Sequence, residues 1–247
     1  MAFSDAILPA RLRVLPREDL HVLLVLVLTL GTGAVDAVSY FSLDHVFTAN
    51  MSGNMAILGI GVATNLGDVT GNIFAFVGFV AGSVLIGRFI NRHVGTFMRI
   101  AVEALLGQLL IFVLLTVVVA FVDVAAHDGW RYAICLILAA GMGIQTGVAR
   151  HLSVKDVNTT VATMTLHDLA AGSRLAGGDS VRWRRRAGVV LALFSGAAIA
   201  VGLDHIVRWG GLGFATLTVA FVLLAMAALL AAESREPSGV EDGVGRP

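Results

Sequence analysis

Charge is scarce in this chain: Asp, Glu, Lys and Arg make up 14% of its 247 residues, against about 25% in soluble domains. A water-soluble fold of this length would need a far larger polar surface. The formal net charge is zero, which removes any overall basic attraction to nucleic acid, and no RNP or zinc-finger signature is present. A single cysteine, Cys135, excludes an intrachain disulfide and a thiolate metal cluster. It lies inside an apolar run and reads as a packing residue. Also missing are His-Glu-x-x-His, Gly-x-Ser-x-Gly, a P-loop and a dinucleotide fingerprint. His151, His167 and Asp168 stand in none of these spacings. Neither enzymatic activity nor a cofactor is expected.

What is abundant is apolar sequence, 57% of the chain. A spanning helix needs about 20 mostly apolar residues. Six stretches qualify: Val22–Phe41, Val69–Ile90, Met98–Val122, Tyr132–Ala149, Ala187–Val207 and Gly211–Ala232. Loops rich in Lys and Arg stay cytoplasmic. Of the 17 Lys and Arg residues, Arg131 and Arg208 alone fall in the connections that alternate threading places outside. The expectation is a bacterial inner-membrane protein with both termini in the cytoplasm. Trp130, Trp183 and Trp209 fall near span ends, where amphipathic rings favour the headgroup region. The basic run Arg182, Arg184, Arg185, Arg186 reads as a topology determinant that touches anionic lipid. Arg17 followed by the apolar run to Leu30 and by Gly31, Gly33 and Ala34 has the outline of a signal peptide. Cleavage there would remove the first helix of the repeat described next.

Two weakly apolar segments between spans, Val46–Val62 and Val157–Ala170, are too short or too polar to cross, and they occupy corresponding positions in the two halves. Gly33-Ala34-Val35-Asp36-Ala37 parallels Gly143-Ile144-Gln145-Thr146-Gly147. Thr48 to Asn54 parallels Thr159 to Thr165, and Ala81-Gly82-Ser83 parallels Ser195-Gly196-Ala197. Each half therefore reads as span, short segment, span, span, and an odd number of spans turns the second half upside down relative to the first. The expected fold is all-α: a polytopic membrane protein with six transmembrane helices in two inverted three-helix repeats, each with a short re-entrant or broken helix. Its parts would be a cytoplasmic segment over residues 1–19, repeats over 20–122 and 123–232, and a disordered tail over 233–247. The other reading of the short segments is amphipathic helices lying on the surface. Their polar residues are Asn, Ser and Thr rather than Lys and Arg, which favours re-entrance.

Thr32-Gly33-Ala34-Val35-Asp36-Ala37, the run Ala49-Asn50-Met51-Ser52-Gly53-Asn54, Gly143-Ile144-Gln145 and Thr159-Thr160 carry a resemblance to the YoaK-like family of bacterial membrane proteins, a family defined by a domain of unknown function. It covers about residues 20 to 232. The resemblance implies a multi-span inner-membrane protein and no particular activity or substrate. Such proteins often have Thr-Gly-Thr where this chain has Thr163-Met164-Thr165.

Asp36 is the ionisable residue that invites a functional reading, since a carboxylate within a span costs about 2.5–3.5 kcal/mol on insertion scales and faces a cavity or a partner. Proton or cation coupling is one role, and a structural acid hydrogen-bonded to neighbours is the other. Asn50, Ser52 and Asn54 recur along the first short segment. With Asn50 as its cap, the free amides would form a small anion-binding end. Thr159, Thr160, Thr163 and Thr165 would supply the mirror surface, with Gln145 and Thr146 completing a hydrogen-bonding lining. The alternative is polar glue between helices. The glycines of Gly78-Phe79-Val80-Ala81-Gly82 and of Ser195-Gly196-Ala197-Ala198 read as close helix packing, with these two helices crossing near the pseudo-two-fold axis. Arg99 and Glu103 are spaced for an ion pair. His45, His127 and His205, each beside a carboxylate, are the candidates for a metal site, although acidic outer loops follow from excluding Lys and Arg there as well.

These readings favour a secondary transporter for a small solute or ion, with the lipid bilayer as its other partner, no nucleic acid, and a site near the midplane between the repeats. A passive channel, a lipid- or quinone-acting enzyme and an assembly scaffold are the competing classes.

Overall fold

The computed structural model describes residues 17–64, 69–93, 97–124, 127–151, 162–180 and 183–233. The first-half helices are α1 (Arg17–Ser42), α2 (Met51–Thr64), α3 (Thr70–Arg92) and α4 (Phe97–Phe121). The second half repeats the order with α5 (Asp128–His151), α6 (Ala162–Ala171), α7 (Trp183–Ile206) and α8 (Gly210–Glu233). A 3-10 turn, Arg174–Ala176, separates α6 from α7. Among the described residues there is no strand. Six of the helices are long and apolar enough to cross a membrane, namely all but α2 and α6. α1, α5 and α7 begin a few residues before their apolar runs because charged ends such as Arg17, Asp128 and Arg184 continue the helix beyond the hydrophobic stretch.

Within an apolar helix, hydroxyls must find internal acceptors. Thr29, Thr116 and Thr216 donate to the carbonyls of Val25, Phe112 and Leu212, one turn back. Thr116 and Thr216 also meet each other, 3.0 Å apart, where α4 and α8 touch.

Burial sorts the spans. α1 and α5 are the interior pair, with 67% and 56% of their apolar windows buried, whereas α3 and α7 keep 22% and 17%. The chief contacts are of α3 with α5 and of α1 with α7, and then of α1 with α8, α4 with α8 and α4 with α5. The first span of each half thus packs on the second span of the other half. The expected meeting of the glycine-rich helices α3 and α7 with each other is not found. Small residues mark a close approach without naming the partner, and here each partner is an inner helix of the opposite half.

The crossings themselves correspond. A Cβ added at Gly33 would collide with the Leu193 carbonyl and the Ala197 amide of α7, and one at Gly143 with the Phe79 carbonyl and the Ser83 amide of α3. Conversely, a Cβ at Gly196 would sit on the Leu30 carbonyl and one at Gly82 on the Ala140 carbonyl. These are the positions paired in sequence, Gly33 with Gly143 and Gly82 with Gly196. Backbone contact at this range requires glycine. The correspondence lapses at one place: α7 packs on α8, while an apolar groove of about 260 Å³ lined by Leu85, Ile86, Phe89, Ala104 and Gly107 lies between α3 and α4.

Ion pairs at the helix ends show the threading. Asp19 and Arg185 pair at 3.1 Å, placing the starts of α1 and α7 at one end. Arg131 reaches both Asp128 and Asp44, and Arg208 meets Asp123 at 2.8 Å, joining the connections at the opposite end. The expected Arg99–Glu103 pair forms at 3.1 Å. Within the basic run, Arg186 donates to the Asp168 carbonyl in α6.

Candidate functional site

After α1 the chain turns back through Asp44 and His45, both with left-handed backbone (φ 63° and 61°), and returns to lie against the helix it has left. Asp36 holds it there. Its Oδ1 accepts hydrogen bonds from the Thr48 amide at 3.0 Å and the Ala49 amide at 2.7 Å, and the Asn50 amide also turns toward the carboxylate. Charge-assisted bonds of this kind are about twice as strong as neutral ones.

The next residues form the cap of α2. Asn50 Oδ1 accepts from the Gly53 amide at 3.3 Å and from the Ser52 hydroxyl at 2.8 Å, which is the N-cap arrangement expected from the sequence. Most donors of the expected anion-binding end are already used. The Met51 amide bonds to the Ala49 carbonyl and the Asn54 amide to the Asn50 carbonyl. Asn54 is fully buried: its Oδ1 accepts from the Phe47 amide at 2.9 Å and from Asn72 Nδ2 at 3.2 Å, and its Nδ2 donates to the Phe47 carbonyl. Asn54 therefore clamps the loop before α2 onto α3. Thr165, its counterpart in the repeat, is the buried residue of α6.

Beside Asp36 lies a cavity of about 150 Å³, lined by Thr32, Asp36, Ala49, Asn50 and Ser52 from the first half and by Ala162, Thr163 and Leu193 from the second. It can hold several waters or one small polar solute. Thr32 and Leu193 are close to the middles of their spans, next to the Gly33–Leu193 crossing. The N-terminal ends of both short helices reach this space, and Ser52 and Thr163 are aligned positions when the two halves of the sequence are compared. The structure thus assembles Asp36, Asn50, Ser52 and Thr163 around one space, while Asn54 and Thr165 are buried apart from it. Thr146 donates to the Met142 carbonyl within α5. Thr159 and Thr160 lie outside the described residues.

Gln145 stands behind the cavity in a buried network. Its Nε2 donates to Thr32 Oγ1 at 2.9 Å and to the Leu28 carbonyl at 3.3 Å, and its Oε1 accepts from Gln108 Nε2 at 2.6 Å. Gln108 and Asn72 escaped the sequence reading. Gln108 is the amide of an otherwise strongly apolar span, and such a residue must find a buried partner, a signal that could have flagged it. Gln108 Oε1 finds none. Replacing Gln145 by leucine should therefore leave the Gln108 amide wholly unpaired and cost about 1–3 kcal/mol. The double change of Gln108 and Gln145 to leucine should recover most of this in detergent melting curves. A neutral Gln145→Leu would show that the network does not support the fold.

Toward the end where Arg131 and Arg208 lie, Asp44 is drawn to Arg131, and Asp204 Oδ1 accepts from the Gly211 amide at 2.7 Å, capping α8. Among the described residues no three His, Cys, Asp or Glu side chains converge as a metal site, so His45, His127 and His205 are not brought together with such a set.

Six helices long and apolar enough to cross a membrane define a polytopic α-helical membrane protein. The chain belongs to the family described as "Protein of unknown function (DUF1275)", whose model matches residues 24–230. It is similar to the UPF0700 transmembrane protein YoaK of Bacillus subtilis (strain 168), with 32% identity over 151 residues that cover 59% of this chain. The match spans 64% of that relative's length. No solved structure matches.

Proposed function

We propose that the protein is a secondary transporter of a small solute, operating by alternating access between two inverted halves, with the cavity beside Asp36 as its site and Asp36 as a proton- or cation-coupling residue. One observation carries this reading: a polar cavity at mid-span is lined by the first turns of both short helices, one from each half, together with the carboxylate of α1. Broken or re-entrant helices whose ends meet near the midplane are the usual way such carriers build a site. The reciprocal glycine crossings support the repeat, since exchanging the halves exchanges the contacts of α1 with α7 and of α5 with α3. In this reading the protein resides in the bacterial inner membrane with both termini cytoplasmic, its partners are lipid and the solute, and no chemistry is performed on that solute.

Asp36 suits coupling because it also docks the segment that begins α2. Protonation would replace charge-assisted bonds to Thr48 and Ala49 with weaker ones and loosen a wall of the cavity.

The test uses Ser52→Cys and Thr163→Cys, since native Cys135 is buried. A membrane-impermeant thiol reagent should reach both positions, and the ratio of outside to inside labelling should shift together at the two when pH is changed. A ratio that stays fixed at both describes a passive pore. Failure of both positions to react from either face would remove the central site.

A further inference from the structure

We infer that the cavity takes a small monovalent cation, bound by the Asp36 carboxylate and by oxygen lone pairs of Thr32 and Ser52. The inference rests on the cavity proposed above as the solute site and assigns its ligand class. It comes from the direction of the hydrogen bonds around that space.

Thr32 Oγ1 lies 2.9 Å from the Leu28 carbonyl, which can only accept, so the hydroxyl proton is committed there. Gln145 Nε2 donates to the same oxygen. What Thr32 has left to offer is a lone pair. Ser52 is in the same position. Asn50 Oδ1 receives the Gly53 amide and is thereby fixed as the oxygen of its side chain, so Ser52 Oγ, 2.8 Å away, must be the donor. Its remaining capacity is acceptance. Asp36 presents about four acceptor positions, and the amides of Thr48, Ala49 and Asn50 occupy at most three. These oxygens line one cavity, and none of its described lining residues is Lys, Arg or His.

Around the start of α2, most of the donors that would suit an anion are spent. The amides of Thr48 and Ala49 serve Asp36, and those of Met51, Gly53 and Asn54 are taken by the Ala49 carbonyl, Asn50 Oδ1 and the Asn50 carbonyl. The Asn50 side-chain nitrogen and the Thr163 hydroxyl remain as side-chain donors in the lining, facing a full negative charge on the same wall. An arrangement of acceptors around one carboxylate, in a low-dielectric surrounding, is completed by a cation. One carboxylate balances one positive charge. The rest of the described wall is Ala49, Ala162 and Leu193, which offers a strongly hydrated divalent ion no replacement for its water. The shared chemistry is that of an alkali-metal ion or a small ammonium ion, both of which seek oxygen lone pairs.

Full-length protein in detergent would be titrated with sodium chloride, methylammonium chloride and choline acetate, with choline chloride as background, and its melting temperature and heat of binding followed. Sodium or methylammonium is expected to stabilise it saturably, and whichever acts identifies the source as a metal ion or an ammonium group. Asp36→Asn should weaken this binding at least tenfold. Ser52→Ala, which changes an exposed side chain and leaves the fold intact, should weaken it several-fold, so the outcome does not depend on the carboxylate variant alone. Stabilisation by acetate instead, through the first-turn amides of α6, would overturn the inference, as would the absence of any saturable effect of either cation. Cation binding without flux in liposomes would leave the inference standing and remove the transport reading. Flux of a neutral or anionic solute without cation binding would do the reverse.

Discussion

Gly196→Ala and Gly82→Ala are each expected to destabilise the protein by at least about 2 kcal/mol, the upper part of the range for overpacking a closed interface. The added methyl would meet backbone in both cases, the Leu30 carbonyl for Gly196 and the Ala140 carbonyl for Gly82. No rotamer change can move those atoms, so relief requires α1 to part from α7, or α3 from α5. For Gly196 the helices that would have to separate, α1 and α7, carry Thr32, Asp36 and Leu193, so a displaced crossing there would deform the cavity as well. Gly87→Ala supplies the contrast, because a Cβ there meets nothing within 4 Å. It should be neutral or stabilising by up to about 1 kcal/mol, the helix-propensity difference between the two residues. Melting temperatures in detergent, followed by size-exclusion elution of heated samples, would read all three. Equal losses at Gly82 and Gly196 are what the repeat demands. A loss at one position with tolerance at the other would mean that the two crossings carry unequal loads and that the halves are not mechanical equivalents.

How much of this was legible before any coordinates follows the same physics. The six spans were, because a helix surrounded by lipid must be apolar over its whole length. So was the start of α2: Asn50 followed by Met51, Ser52 and Gly53 is a cap sequence, and the hydrogen bonds place the cap there. That the glycines aligned between the two halves mark close approaches could be read from the sequence, but not which helices they join. A glycine states that something approaches closely and says nothing of what. The extent of the anion-binding end is hidden for a related reason. Free amides are a property of an isolated helix terminus, and a loop that folds back onto Asp36, with the Asn50 cap, uses most of them. Asn54 and Thr165 look like lining in the sequence because polar residues in a short segment suggest a cavity. Both are buried, and Asn54 ties loop and helix together. Gln108, alone in an apolar span, acquires meaning only from Gln145, which is distant in sequence and visible only in the fold.

Asp36→Asn is expected to leave the protein folded and to lower coupled flux at least tenfold, the scale on which a buried charge contributes to binding its counter-ion. The two effects separate because Asp36 has two tasks. One is to accept hydrogen bonds from Thr48 and Ala49 through Oδ1. An asparagine oxygen can still accept both, at roughly half the strength of a carboxylate, so the loop before α2 should remain docked and melting should fall only slightly. The other task needs charge, and the amide has none to exchange. Asp36→Ala removes both, and should lose stability as well as flux, since the two loop amides would then be unpaired in a partly buried site. Proteoliposomes loaded with a pH-sensitive dye and exposed to an imposed methylammonium or sodium gradient would report proton movement, normalised to the amount of folded protein inserted. Wild-type rates in Asp36→Asn would exclude the carboxylate from coupling and leave it as the latch that holds α2 against α1. Loss of flux in Asp36→Asn with a nearly unchanged melting temperature, and loss of both in Asp36→Ala, would assign the charge to coupling and the oxygen to the latch.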